Sequence, residues 1–297
     1  MNKPIRYIET SALIVGYEES GPSHGYPVIL QHGWPDDVRT WDKVASMLNK
    51  EGFRTIAPYL RGVGQTRFKS DDFMRTGQLS AVGNDLVEVA DALKLDNFAV
   101  VGHDWGARAA YISSFLLPDR VQHCVALSVG YGTNNPDQKL SLEQIKNYWY
   151  HWYMASEQGK ELLEKERRKF CRFMWETWSP LWHFSDKEFD DTAMSFENTD
   201  WAEVVLHSYR HRWGFVQGDP RYDELEKRLS AVPAVTVPTL VLHGEEDKCN
   251  DPSTSMDKEN YFIGPYKRKL ISGAGHFPQR EYPEVVAKEI VNWIKNF

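Results

Sequence analysis

The chain has 297 residues, with 35 Lys plus Arg against 42 Asp plus Glu and a formal net charge of −7. That balance excludes a nucleic-acid partner, which would require a basic face to neutralise phosphates. A composition of 41% hydrophobic and 26% charged residues excludes a disordered chain and permits a large core.

At the amino terminus, MNKPIRYIET has neither the apolar stretch of a signal peptide nor a myristoylation glycine, and no run of eighteen apolar residues follows it. The expected setting is therefore cytoplasmic, with no membrane partner. Short β-branched runs then alternate with helix-length segments, the pattern of an α/β class with a mostly parallel sheet flanked by helices. Strands are expected at Val28 to Gln31, Thr55 to Ala57, Phe98 to Gly102, Cys124 to Val129, Thr239 to His243 and Arg268 to Ile271. Helices are expected at Thr40 to Glu51, Leu79 to Leu93, Gly106 to Leu117 before the stop at Pro118, and Pro283 to Phe297.

The alternation breaks between about Gly132 and Leu229, a stretch with no strand-like run, a helical pattern from Glu157 to Phe173, and seven of the 11 Trp, between positions 149 and 213. A helical block between two strands of one sheet reads as a lid over the carboxyl edge, where open α/β sheets bind ligands. The expected organisation is a core over 1–132, a helical cap over 133–229, and the rest of the core over 230–297.

No cofactor or metal is expected. Gly62-Val63-Gly64 lacks the third glycine of a dinucleotide fingerprint, and His207 and His211 have no Glu between them and no third ligand. Cys124, Cys171 and Cys249 stand far apart and read as buried free thiols.

The most informative segment is Val100-Val101-Gly102-His103-Asp104-Trp105-Gly106. A strand, a small-x-nucleophile-x-small frame and a helix make the elbow that presents a side chain in a strained, exposed turn. Asp104 occupies the centre, where a helix-capping Asp is the competing reading. Upstream, His32-Gly33-Trp34-Pro35 ends a strand where an oxyanion loop would stand, so the amides of Trp34 and Trp105 would converge on one developing charge. Downstream, Asp247 follows one strand in GEED and His276 follows the next in GAGHF, which gives a triad in the order Asp104, Asp247, His276. Asp251 competes with Asp247 for the acid, but Asp247 lies closer to its strand end. His32, His103 and His243 flank strand ends and are expected to make structural hydrogen bonds.

With these motifs in this order over essentially the whole chain, the sequence resembles the α/β-hydrolase fold family, in its Asp-nucleophile group of epoxide hydrolases and haloalkane dehalogenases. The resemblance implies Asp104 as nucleophile, His276 as base, Asp247 as its acid, and Trp34 and Trp105 at the oxyanion hole. It also implies two cap tyrosines on the epoxide oxygen, Tyr209 and Tyr150, with Tyr148 and Tyr153 as alternatives to the latter. Trp34, Trp105, Arg108 and Trp149 are expected to contact substrate.

The implied reaction opens a small organic epoxide to a vicinal diol through an ester on Asp104. Dehalogenation by the same attack is the alternative, and a non-hydrolytic receptor or biosynthetic variant is a further one. Trp34, where haloalkane dehalogenases carry Asn, and Trp105, where fluoroacetate dehalogenases carry Arg, weaken the halide reading. The sequence Pro58-Tyr59-Leu60-Arg61-Gly62 departs from the family in lacking an acidic residue before Arg-Gly. The expected partners are a small apolar or aromatic substrate and, at most, a second copy of the chain in a homodimer.

Overall fold

A computed structural model describes residues 4–132 and 138–297. Residues 1–3 and 133–137, the latter at the expected start of the helical insertion, lie outside the described residues. Among the described residues nine strands form one sheet: β1 (Ile5–Glu9), β2 (Leu13–Ser20), β3 (Pro27–Gln31), β4 (Arg54–Pro58), β5 (Arg67–Phe68), β6 (Phe98–His103), β7 (Val121–Leu127), β8 (Thr239–Gly244) and β9 (Tyr266–Ile271). The order is β1-β2-β4-β3-β6-β7-β8-β9, with β5 paired to β2. From β4 to β9 every pairing is parallel, with Ile29 opposite Val100, Val101 opposite Val125 and Ala126 opposite Val241. Every residue of the central strands β6 and β8 is buried, which is why those strands read as near-continuous apolar runs. Their carboxyl ends therefore align along one edge.

The antiparallel edge of β1, β2 and β5 was not anticipated; β1 is largely exposed, so no buried period marks it. Strand β7 also begins earlier than expected, and it ends earlier because Ser128, at φ 63°, leaves the extended region.

Helices α1 (Asp42–Lys50), α2 (Leu79–Ala92), α3 (Trp105–Leu116) and α12 (Pro283–Asn296) flank the sheet, α1 against α12 and α2 against α3. The helix expected from Thr40 begins instead as a 3-10 turn over Val38–Trp41. Trp41 and Trp293 are buried in the core.

Between β7 and β8 the described residues hold no strand. They form α4 (Leu142–Asn147), α5 (Trp149–Ala155), α6 (Glu157–Lys165), α7 (Arg167–Trp178), α8 (Asp186–Ala193), α9 (Trp201–Arg212) and α10 (Asp223–Ser230). The single helix expected over 157–173 is two, because the backbone leaves helical angles at Glu166 and Arg167 turns to donate to the Phe196 carbonyl at 2.8 Å. The apolar spacing runs on across that break and so does not reveal it. No described helix is long and apolar enough to cross a membrane.

This helical segment sits on the carboxyl edge through its rings and a polar seam. The Trp175 indole N–H donates to the Pro35 carbonyl at 2.8 Å, and the Ser195 hydroxyl donates to Asp37 at 2.6 Å. Arg280, on the short helix α11 (Pro278–Glu281), binds Asp36 through two nitrogens and reaches Glu188 and Thr192 on α8.

Burial and the neighbouring Asp36 charge push the Asp37 carboxyl up to about 7, against the Ser195 bond and Arg280. A carboxyl raised on folding stabilises fully below its unfolded value and loses that contribution as pH rises through its folded value. Stability should therefore decline between about pH 4 and 7. Asp37→Asn, whose amide oxygen can still accept the Arg39 amide and whose NH2 can donate to the Ser195 hydroxyl oxygen, is expected to flatten that decline and raise Tm at pH 8 by a few degrees. Thermal melts from pH 4 to 8 check this, and equal slopes in both proteins would reject it.

Candidate active site

Asp104 sits between β6 and α3 at φ 52° and ψ −114°. A non-glycine residue held there stores about 1–3 kcal/mol of strain. The surrounding backbone leaves no slack: a Cβ on Gly102 would lie 1.9 Å from the Gly106 carbonyl oxygen, and one on Gly106 would lie 2.1 Å from that of Gln31. The Asp104 side chain does not cap α3, so the capping alternative is displaced. Its Oδ1 instead accepts the Trp34 amide at 2.9 Å, which brings the loop after β3 onto the elbow. Trp105 opens α3, whose positive end faces the same carboxylate.

The loop after β9 carries His276, whose Nε2 lies 3.8 Å from Asp104 Oδ2. Its Nδ1–H donates to Asp247 Oδ2 at 2.9 Å. Asp247 follows β8, and its Oδ1 accepts the amides of Cys249 at 2.8 Å and Asn250 at 2.9 Å. Asp251 instead caps a 3-10 turn through the Ser253 amide.

All three members of this constellation are buried, and charge decides their protonation. Burial alone would raise Asp104, but the nearby His276 outweighs it and holds the carboxyl at about 2. Burial likewise opposes the charged forms of the other two. The His276 and His243 contacts still hold Asp247 well below the carboxylate range, and the Asp247 charge, with the nearby Asp104 carboxylate, raises His276 well above an ordinary histidine. The two carboxylates thus favour the protonated form of the imidazole between them.

Two phenols stand over it. Tyr150 of α5 and Tyr209 of α9 are buried, with ring centroids 5.3 Å apart edge to face, and the Tyr150 hydroxyl lies 3.6 Å from the Cys249 sulfur. Burial raises both well above 10, and the Asp104 charge adds to it, so both stay protonated donors. Both rings pack on Trp34, at 5.8 and 5.3 Å. The alternatives are committed elsewhere: the Tyr148 hydroxyl donates to Asn250 at 2.5 Å, and Tyr153 is 39% exposed.

Trp149 does not join the site. It is 39% exposed and packs against Phe170 and Phe173, because one position along a helix turns a side chain about 100° away from Tyr150. Arg108 is buried one turn beyond Asp104, on a neighbouring cavity.

His103 donates to the His276 carbonyl at 2.7 Å, and His32 accepts the Leu60 amide at 3.1 Å. His207 accepts the Gly77 amide, and no metal-binding cluster occurs among the described residues.

His243 makes the structural hydrogen bonds expected at its strand end, to the Asn250 carbonyl at 2.9 Å and the Ser255 hydroxyl at 2.8 Å, and its Nε2 lies 3.2 Å from Asp247 Oδ2. Two site neighbours escaped the sequence reading. Ser179 accepts the His276 amide at 2.8 Å, and the Trp178 ring lies 5.0 Å from the imidazole. The segment WETWSPLW gave a signal for these last two, but only as an aromatic cluster. The buried indole N–H groups of Trp34, Trp105 and Trp178 have no acceptor among the described residues. Buried donors of this kind call for a polar partner.

A family model described as alpha/beta hydrolase fold matches residues 26–283. An epoxide hydrolase of Caballeronia sordidicola is 36% identical, over 97% of this chain and 92% of its own. Among solved structures, a candidate epoxide hydrolase from Klebsiella pneumoniae superposes with a TM-score of 0.93 at 35% identity, over 98% of this chain and 97% of that one. Potato epoxide hydrolase I shares the fold, with a TM-score of 0.81 at 22% identity over 99% of each chain.

Proposed function

Because the chain belongs to the α/β-hydrolase fold family, we propose that it is an enzyme that opens a small organic epoxide to a vicinal diol through an ester on Asp104. The observation that carries this reading is a carboxylate, in place of a hydroxyl, at a strained elbow that faces His276. A hydroxyl attacking saturated carbon would leave a stable ether, whereas a carboxylate leaves an ester that water can cleave.

In the first step an Asp104 oxygen attacks an epoxide carbon, and the C–O bond breaks. Tyr150 and Tyr209, kept protonated by burial, donate to the oxygen as it becomes an alkoxide, when their hydrogen bonds count most. Ester formation removes one of the two anions that raise His276. With Asp247 alone beside it, His276 gives up its proton, which makes good the one the tyrosine pair passed to the ring oxygen, and the neutral imidazole then acts as base on water. Hydroxide then adds to the Asp104 ester carbonyl. The amides of Trp34 and Trp105 meet the tetrahedral oxyanion; collapse expels the ester oxygen, which takes the proton of the newly added hydroxyl, so the Asp104 carboxylate is restored and the diol is freed.

The same attack would expel a halide from carbon. Two phenols kept as proton donors favour a ring oxygen, which must take up a proton, over a halide, which need not. The proposal extends to a cytoplasmic setting and to apolar or aromatic epoxides, supported by the rings of Trp34, Trp105 and Trp178 around the carboxylate.

A single turnover in ¹⁸O-water, with enzyme in excess over an aryl or alkyl epoxide, tests the reading. The diol oxygen gained should come unlabelled from Asp104, and the label should appear in the Asp104 peptide. A labelled diol with an unlabelled peptide would mean direct attack by water.

A further inference from the structure

The loop that carries His276 leaves β9 at Ile271 and enters α11 at Pro278, so the backbone amides at its tip have no strand partner and take their acceptors elsewhere. Two of them end on one carboxylate: Gly275 donates to Glu281 Oε2 at 2.8 Å and Phe277 to Glu281 Oε1 at 3.0 Å. The amide of His276 itself donates to the Ser179 hydroxyl oxygen at 2.8 Å and shares its proton with the Trp178 carbonyl at 3.3 Å. Both of those acceptors belong to the helical segment between β7 and β8, at the carboxyl end of α7.

Chemistry fixes the direction of this chain of bonds. An ionised carboxylate only accepts, so the single Ser179 proton goes to Glu281 Oε1 at 2.7 Å and leaves the serine oxygen to take the His276 amide. Ser179 is fully buried, and a Cβ on Gly275 would lie 2.4 Å from its Oγ, so the end of α7 sits directly on the loop. The same end reaches the acid, since the Lys248 amide, next to Asp247, donates to the Trp178 carbonyl at 3.2 Å. The His276 carbonyl, by contrast, is held from the core, by His103 at 2.7 Å and the Ser128 hydroxyl at 2.8 Å. The base is thus pinned on its carbonyl side by the core and on its amide side by the helical segment.

The two steps of the reaction use that placement unequally. Attack needs the Asp104 carboxylate and the Trp34 amide, and neither belongs to this loop. Ester hydrolysis needs His276 Nε2 aimed at a water beside the ester carbonyl, where a misplacement of about 1 Å can cost about 100-fold.

We propose that Ser179 and Glu281 are positioning residues for ester hydrolysis, through which the helical segment between β7 and β8 sets the catalytic base. This rests on the epoxide reading, within which it assigns the second step its support.

Ser179→Ala and Glu281→Gln test it, with formation and decay of the Asp104 ester followed by single-turnover indole fluorescence and by intact-protein mass. Ester formation should stay within about three-fold of the wild type, while ester hydrolysis slows about ten-fold or more in each variant. Since the ester then accumulates in the steady state, kcat and KM should fall together. Rates are taken per active site, counted from the amount of ester formed, so a misfolded fraction does not enter them. The double variant should be little slower than the slower single one, because both residues act through one chain of hydrogen bonds. Hydrolysis at the wild-type rate in both single variants overturns the positioning and leaves the epoxide reading standing, and an equal slowing of both steps overturns it too. If the wild type opens no epoxide, the epoxide reading fails and proton NMR decides the positioning by itself. The His276 Nδ1–H, bonded to Asp247 at 2.9 Å, should give a far-downfield resonance in the wild type that exchange with water removes in Ser179→Ala, and an unchanged resonance overturns the positioning.

Discussion

His276→Gln is expected to turn the catalyst into a reagent that reacts once and stops. Steady-state diol formation should fall by about 10³-fold or more, as for loss of a general base. Intact-protein mass should rise by the mass of one epoxide, and the adduct should map to Asp104. The two steps need different things from His276. Attack requires only an ionised Asp104 held by the Trp34 amide, a 2.9 Å bond that the substitution leaves in place. Ester hydrolysis requires a group that accepts a proton from water, and glutamine cannot. The glutamine amide can still donate to Asp247, so that carboxylate is not left without its partner. One consequence follows from the charges: without the imidazolium, burial would raise the Asp104 carboxyl from about 2, so attack should slow below neutral pH and the trapping is best done near pH 8. Absence of adduct from every epoxide that the wild type turns over would exclude Asp104 as nucleophile.

The residues proposed for this chemistry are legible in the sequence because each stands just past a strand in a short glycine-bearing loop, and parallel pairing aligns strand ends regardless of their distance in sequence. Trp34, Asp104, Asp247 and His276 follow β3, β6, β8 and β9 in that way. The supports of those residues are not legible by the same rule. His243 reaches Asp247 from the last turn of a buried strand, Ser179 reaches the His276 amide from the end of α7, and Arg212 lies over Tyr209 from one face of α9. Each depends on how one helix settles on another surface, and neither spacing nor residue type carries that information. Trp149 shows the limit: an aromatic pair marks the right turn of α5, but only the helical register tells which ring faces inward. The edge strand β1 is missed for the opposite reason, since its exposed side chains leave no periodic trace.

Tyr209→Phe and Tyr150→Phe should each slow formation of the Asp104 ester by about 10–100-fold, and the double variant by about 10³-fold or more. The double loss should exceed either single loss because the remaining phenol can still protonate the oxygen when one is removed. Tyr148→Phe is the internal control: its hydroxyl is held by Asn250, so ester formation should change by less than about three-fold. The site carries its own reporter, since Trp34 stacks on Tyr150 at 5.8 Å and Trp105 lies 5.8 Å from Tyr209, so stopped-flow indole fluorescence can follow the ester directly. Affinity for the diol product should move far less than the rate, because the phenols act mainly on the charge that develops on the leaving oxygen. Since burial raises both phenols well above 10, ester formation should not fall as pH approaches the ordinary tyrosine range. A double variant that forms ester at the wild-type rate would remove both tyrosines from the reaction. A fall centred near pH 10 that disappears in the double variant would instead show a phenol titrating at its ordinary value, contrary to the buried environment of both rings.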